Sequence, residues 1–233
     1  MIPFLGRELI RKYAQETLQE YERVRGKGIA FPLDVVDVFD RLFGLETIFD
    51  DQGIINQRLG DGIIGCLFPD GHPSPWGKDK LIIVNVTKNP SFNPMRYNDN
   101  FTIAHEGVGH YILHFLKGIT EEKRDRPEYC RTQDYSPLEW QANFAAGELT
   151  QPFDQVIWLL DGKIPPEVID LDLYEKNYRE YFGASRAMME GRLNTLGYKL
   201  FNARYDWTDD RVGVEQREQM SQQRITHKQR SSR

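Results

Sequence analysis

Three of the five histidines in this 233-residue chain fall within one ten-residue window, His105-Glu106-Gly107-Val108-Gly109-His110-Tyr111-Ile112-Leu113-His114. Two histidines four apart, with a glutamate after the first, let one helix offer both imidazoles to a single zinc ion and a carboxylate to its water. Here His105 and His110 are five apart. At about 100° per residue an i, i+4 pair sits roughly 40° apart around an α-helix and an i, i+5 pair roughly 140° apart. A regular helix would therefore point the two rings away from each other. Any fold for this chain has to absorb one extra residue between them or use the histidines differently.

Two helical solutions exist. A π-bulge carries one residue more than an α-helical turn, and such bulges concentrate at functional sites. Gly107 and Gly109 flank the place where it would fall, and glycine tolerates unusual backbone angles most readily. His105 and His110 would then be metal ligands, with Glu106 as general base. Alternatively the helix stays regular and Glu106, His110 and His114 form one stripe, which makes His114 the alternative metal ligand and leaves no carboxylate for catalysis. A third reading has the histidines only packing or capping.

A second segment bears on the choice. Glu139-Trp140-Gln141-Ala142-Asn143 puts a carboxylate and an amide four apart on one predicted helix face, about 30 residues downstream. A zinc peptidase needs a third protein ligand and a partner that orients a ligand imidazole. Glu139 fits the first role and Asn143 the second.

Together, Phe101-Thr-Ile-Ala-His-Glu, Gly109-His-Tyr-Ile-Leu-His114 and Glu139-Trp-Gln-Ala-Asn-Phe-Ala-Ala-Gly-Glu-Leu-Thr-Gln-Pro152 resemble the ImmA/IrrE family of metallopeptidases. Pro32 through Glu46 and Phe182 through Gly197 are similar to its N-terminal and C-terminal segments, so the resemblance spans about residues 5 to 200. It implies an α+β, zincin-like fold with a catalytic Zn2+ and proteolysis of a helix-turn-helix repressor in stress response or mobile-element control. By position, it makes His105, His110 and Glu139 the metal ligands and Glu106 the general base. The chain departs from the family in the inserted residue and in Gln141, which stands where a second acidic residue is often found. The rival expectation is a catalytically silent zincin-like protein that binds a repressor without cleaving it. A third is a metal enzyme with an unrelated small substrate.

The rest of the chain sets the frame. Hydropathy patterning predicts helices over about 6–25, 33–43, 99–116 and 137–149, with Pro32 opening the second. Strands are expected at 45–49, 62–68 and 81–86, giving a small sheet of about three strands. The strand at 81–86 is a candidate for pairing with an extended substrate. Residues 121–131 read as a charged loop. Residues 1–152 are expected to form the metallopeptidase core, 153–206 a helical segment with a possible helix-turn-helix character, and 207–233 a disordered tail. Arg186 and Arg192 alone do not make a DNA-reading face, and a net charge of -5 gives no general reason for nucleic-acid binding. Asp34, Asp37 and Asp40 read as a solvated stripe and Cys66 as core. Tyr97 and Tyr111 are candidates for an oxyanion donor. With two cysteines, no apparent signal peptide and no long apolar run, a cytoplasmic location is expected.

Overall fold

A computed structural model of the chain describes residues 5–88, 97–117, 128–131 and 136–204. The expected tail at 207–233 and most of the charged loop lie outside the described residues. Helix α1 spans Arg7–Arg25 and buries Ile10, Ala14, Leu18 and Tyr21, a stripe at helical spacing. It ends at Gly26, whose positive φ of 65° lets its N–H bond back to Glu22. Helix α2, Val35–Phe43, starts two residues later than Pro32 suggests. Its start is fixed by the Asp34 carboxylate, which accepts from the Asp37 N–H at 3.1 Å. Asp37 in turn accepts from the Tyr21 hydroxyl at 2.5 Å and from Arg41 at 2.6 Å. The expected aspartate stripe is thus part cap and part tether between α1 and α2.

The three expected strands form as β1 (Glu46–Asp50), β2 (Ile63–Phe68) and β3 (Leu81–Asn85). A fourth, β4 (Glu128–Arg131), joins them at the end of the segment read as loop, giving the order β1-β3-β2-β4. β1 and β3 run parallel, and β2 is antiparallel to both β3 and β4. Every residue of β3 is buried. With β1 on one side and β2 on the other, β3 has no edge to offer an extended peptide, so the expectation of substrate pairing at 81–86 is overturned. Between β1 and β2 lies α3 (Ile54–Leu59), a helix the pattern did not reveal because it is only six residues long. Both oxygens of Asp50 cap it, accepting from Ile54 N at 3.0 Å and Ile55 N at 2.7 Å. Cys66 is buried in β2 as expected.

One face of the sheet is covered by helices. Helix α4, Tyr97–Ala104, runs without a break into a π-helix over His105–Leu116. Helix α5, Pro137–Thr150, packs against that π-helix and against α1. Its first turn is organised by Ser136, whose hydroxyl accepts from the Glu139 N–H at 3.3 Å, with Pro137 at the first helical position.

The C-terminal residues build α6 (Phe153–Leu159), β5 (Val168–Asp170), α7 (Leu171–Phe182), α8 (Arg186–Leu196) and β6 (Lys199–Phe201), with β5 and β6 paired in parallel. They enclose a second apolar cluster around Val156, Ile169, Tyr178, Met189, Leu193 and Tyr198. Buried polar contacts join it to α5. Glu148 meets Arg192 at 2.9 Å and Arg11 of α1 at 3.2 Å, while Arg192 Nε donates to the Gln151 carbonyl at 3.1 Å. Arg186 is likewise buried, bound to Asp172, Glu175 and Glu190. Both arginines of the expected helix-turn-helix-like segment are therefore engaged inside the protein. No helix among the described residues is long and apolar enough to cross a membrane.

Candidate metal centre

The π-helix settles the spacing problem set by His105 and His110. A hydrogen-bond ladder that closes at i+5 stacks residues five apart, as an α-helix nearly stacks those four apart. The two rings accordingly meet with centroids 4.8 Å apart and their Nε2 atoms at 3.0 Å. The extra residue is absorbed over twelve residues rather than at a single bulge.

The two glycines serve a purpose other than the expected one. Neither adopts a positive φ. They are needed because neighbours crowd the helix on two sides. A Cβ on Gly107 would stand 2.3 Å from the Phe39 ring of α2, and one on Gly109 would stand 2.4 Å from the Ala142 Cβ of α5. Close approach to α5 is what brings Glu139 to the histidines.

Glu139 completes the group. Its Oε2 lies 3.0 Å from His105 Nε2 and its Oε1 lies 3.3 Å from His110 Nε2. In a tetrahedral zinc site with bonds of about 2.0–2.1 Å, neighbouring ligand atoms are about 3.3 Å apart. The three donor atoms already lie close to that spacing. All three residues are buried, and among the described residues they form a group able to hold a metal ion.

The protonation states fit the same use. Burial pushes the His105 imidazole below its ordinary range, outweighing the opposing pull of Glu139 and Asn143. Burial would raise the Glu139 carboxyl, but its contacts with His105 and His110 hold it well below the usual carboxylate range. A neutral imidazole and an ionised carboxylate are the forms that bind a divalent cation. Three lone-pair donors facing one another at these distances repel unless a cation or a proton lies between them.

Each imidazole is held from behind. Asn143, one turn after Glu139 on α5, places its Oδ1 2.9 Å from His105 Nδ1, within hydrogen-bond distance. His110 Nδ1 lies 3.0 Å from His114 Nδ1. His114 therefore stands behind His110, and among the described residues Glu106, His110 and His114 are not found as a group able to hold a metal ion. The sequence carried a sign of this contact in the i, i+4 spacing of the two histidines.

Glu106 is fully buried and reaches toward β2, where Gly65 makes room for it. A Cβ on Gly65 would come within 3.0 Å of Glu106 Oε1 and 2.5 Å of Thr102 Cγ2. Burial pushes the adjacent Cys66 thiol up, and the Glu106 charge adds to the shift. The signal for Gly65 in the sequence is a glycine inside the apolar run Ile63–Phe68, the usual sign of a close approach. Gln141 is buried on α5 and is not part of the His105–His110–Glu139 group. Of the two tyrosines considered as oxyanion donors, the Tyr97 side chain lies outside the described residues. Tyr111 packs its ring against Phe43 and Phe115, and its hydroxyl donates to Asp70 at 3.3 Å.

Neither a scan of protein-family models nor a search of curated proteins returns a match to this chain.

Proposed function

We propose that this protein is a zinc-dependent metallo-endopeptidase with a zincin-like fold. The observation that carries the reading is the convergence of His105 Nε2, His110 Nε2 and the Glu139 carboxylate, with the buried Glu106 immediately after the first ligand. Two imidazoles and one carboxylate are the ligand set of catalytic rather than structural zinc sites, which leave a position for water or substrate.

Zinc held there would supply Lewis acidity, polarising a carbonyl oxygen and lowering the pKa of water to about 7. The chain's own residues do the rest. His105, His110 and Glu139 would hold the ion, and Asn143 fixes the ring of His105. Glu106 takes a proton from the attacking water and returns it to the leaving amine. Its seclusion between the π-helix and β2 keeps bulk water from competing for that proton. The resemblance to the ImmA/IrrE metallopeptidases supports a protein substrate, specifically a helix-turn-helix repressor, and a cytoplasmic setting.

Metal analysis paired with a cleavage assay on such a repressor tests the reading. One equivalent of zinc is expected, lost in His105→Ala and in Glu139→Ala, while Glu106→Gln keeps the metal and abolishes cleavage. Zinc retained in His105→Ala but lost in His114→Ala would overturn the ligand assignment. Repressor binding without cleavage by the zinc-loaded wild type would identify a silent binding protein instead.

A further inference from the structure

We propose that His114 is a positioning residue for the metal ligand His110, fixing its tautomer and ring orientation through the Nδ1–Nδ1 contact. This rests on the metal reading of His105, His110 and Glu139. His110 turns Nε2 toward the other two ligands, at 3.0 Å from His105 Nε2 and 3.3 Å from Glu139 Oε1. A neutral imidazole that offers Nε2 as a lone pair carries its hydrogen on Nδ1. At 3.0 Å from that nitrogen stands His114 Nδ1. Two ring nitrogens at this distance make a hydrogen bond only if one donates and the other accepts. His110 Nδ1–H is thus the donor and His114 Nδ1 the acceptor, which places His114's own hydrogen on Nε2.

The two ligand histidines are then held by unlike acceptors. His105 donates to the Asn143 amide oxygen on a neighbouring helix, whereas His110 donates to an imidazole on its own helix. The π-helix lets His110 meet both other histidines of its helix at once. Because its ladder closes at five residues, His105 and His114 flank His110, at five residues before and four after. His114 is 1 % exposed, so solvent does not compete for the contact. A cation on His110 Nε2 makes Nδ1–H a stronger donor, so the bond to His114 tightens when the site is loaded.

The test is zinc affinity of the full-length chain, read by competition with a chromophoric chelator. His114→Leu should weaken zinc binding about 10–100-fold while keeping one equivalent at saturation, because outer partners of ligand histidines contribute on that scale. His114→Gln, whose amide oxygen also accepts, should recover much of the loss. Long-range proton–nitrogen NMR of the zinc-loaded wild type should show His114 Nδ1 as an unprotonated acceptor without a bound metal. Unchanged affinity in His114→Leu overturns the proposal. So does loss of the whole equivalent at saturation, which would make His114 a ligand. If His114→Leu does not fold, a protonated or metallated His114 Nδ1 in the wild-type spectrum overturns it equally. A wild type that binds no zinc at all removes the metal reading itself, an outcome distinct from the others.

Discussion

Gly109 and Ala142 touch so closely that a methyl group on Gly109 would stand 2.6 Å from the α-carbon of Ala142. Backbone atoms cannot swing aside as a flexible side chain can. Gly109→Ala should therefore destabilise the protein by about 1–3 kcal/mol, the usual cost of overpacking a closed interface. Adding Ala142→Gly should return part of that loss, and urea unfolding of both single variants and the double variant measures the coupling. Equal midpoints for Gly109→Ala and wild type would contradict the packing described.

Gly65→Ala should separate catalysis from metal binding. The added methyl would press on Thr102 and on the Glu106 carboxylate, neither of which is a ligand in the candidate centre. Zinc stoichiometry should persist while cleavage falls by about 10²-fold, the scale on which a 1 Å misplacement acts. Loss of zinc together with activity would place Gly65 in the metal site itself.

Acid should destabilise the metal-free protein in a defined direction. His105 has its pKa lowered from 6.5 by burial, and Glu139 has its carboxyl lowered from 4.5 by the two imidazoles. Both groups bind fewer protons folded than unfolded, so stability rises with pH across that range. The His105 contribution is present above the ordinary imidazole pKa and fades as pH falls below it. The Glu139 contribution fades at lower pH still. Urea midpoints of chelator-treated protein should drop between about pH 7.5 and about pH 5.5, and His105→Gln should shrink the difference. Identical midpoints at the two pH values would refute the assignment.

The junction of the two apolar clusters can be tested at Glu148. Its side chain is 1 % exposed and Arg192's is 3 % exposed. Glu148→Ala strands the Arg192 charge in the interior and should cost about 3–5 kcal/mol, whereas replacing both with apolar residues of similar volume should cost far less. Thermal unfolding of the single and paired variants reads the difference. A loss below about 1 kcal/mol for Glu148→Ala, the scale of an exposed pair, would mean that the bridge is solvated.

The parts of this molecule that were legible in its sequence are those governed by local periodicity. Ile10, Ala14, Leu18 and Tyr21 announce α1, and the apolar runs at 63–68 and 81–85 announce β2 and β3. The group His105, His110 and Glu139 could be named because metal chemistry restricts which residue types could hold an ion and how they are spaced. What escaped were effects that depend on a neighbour distant in sequence. Asp50 caps α3 from the end of a strand, and β4 is a strand because β2 supplies its partner bonds. Two glycines at 107 and 109 suggest backbone freedom, but their cause is Phe39 and Ala142. Those residues lie 68 positions upstream and 33 downstream, beyond the reach of a local pattern. His114 invites a ligand reading for a similar reason, since spacing alone does not say whether an imidazole faces a neighbouring carboxylate or another ring.

In the π-helical register over His105–Leu116, His105 lies beside His110; an α-helical register over the same residues would set it nearest Gly109 and turn the second imidazole away. An ion gripped by both rings would bind only the π-helical register and would weight that backbone by mass action, about 2.7 kcal/mol at a hundredfold excess over Kd. On the proposed metal reading, the free concentration of the metal would become a thermodynamic variable of the main chain itself.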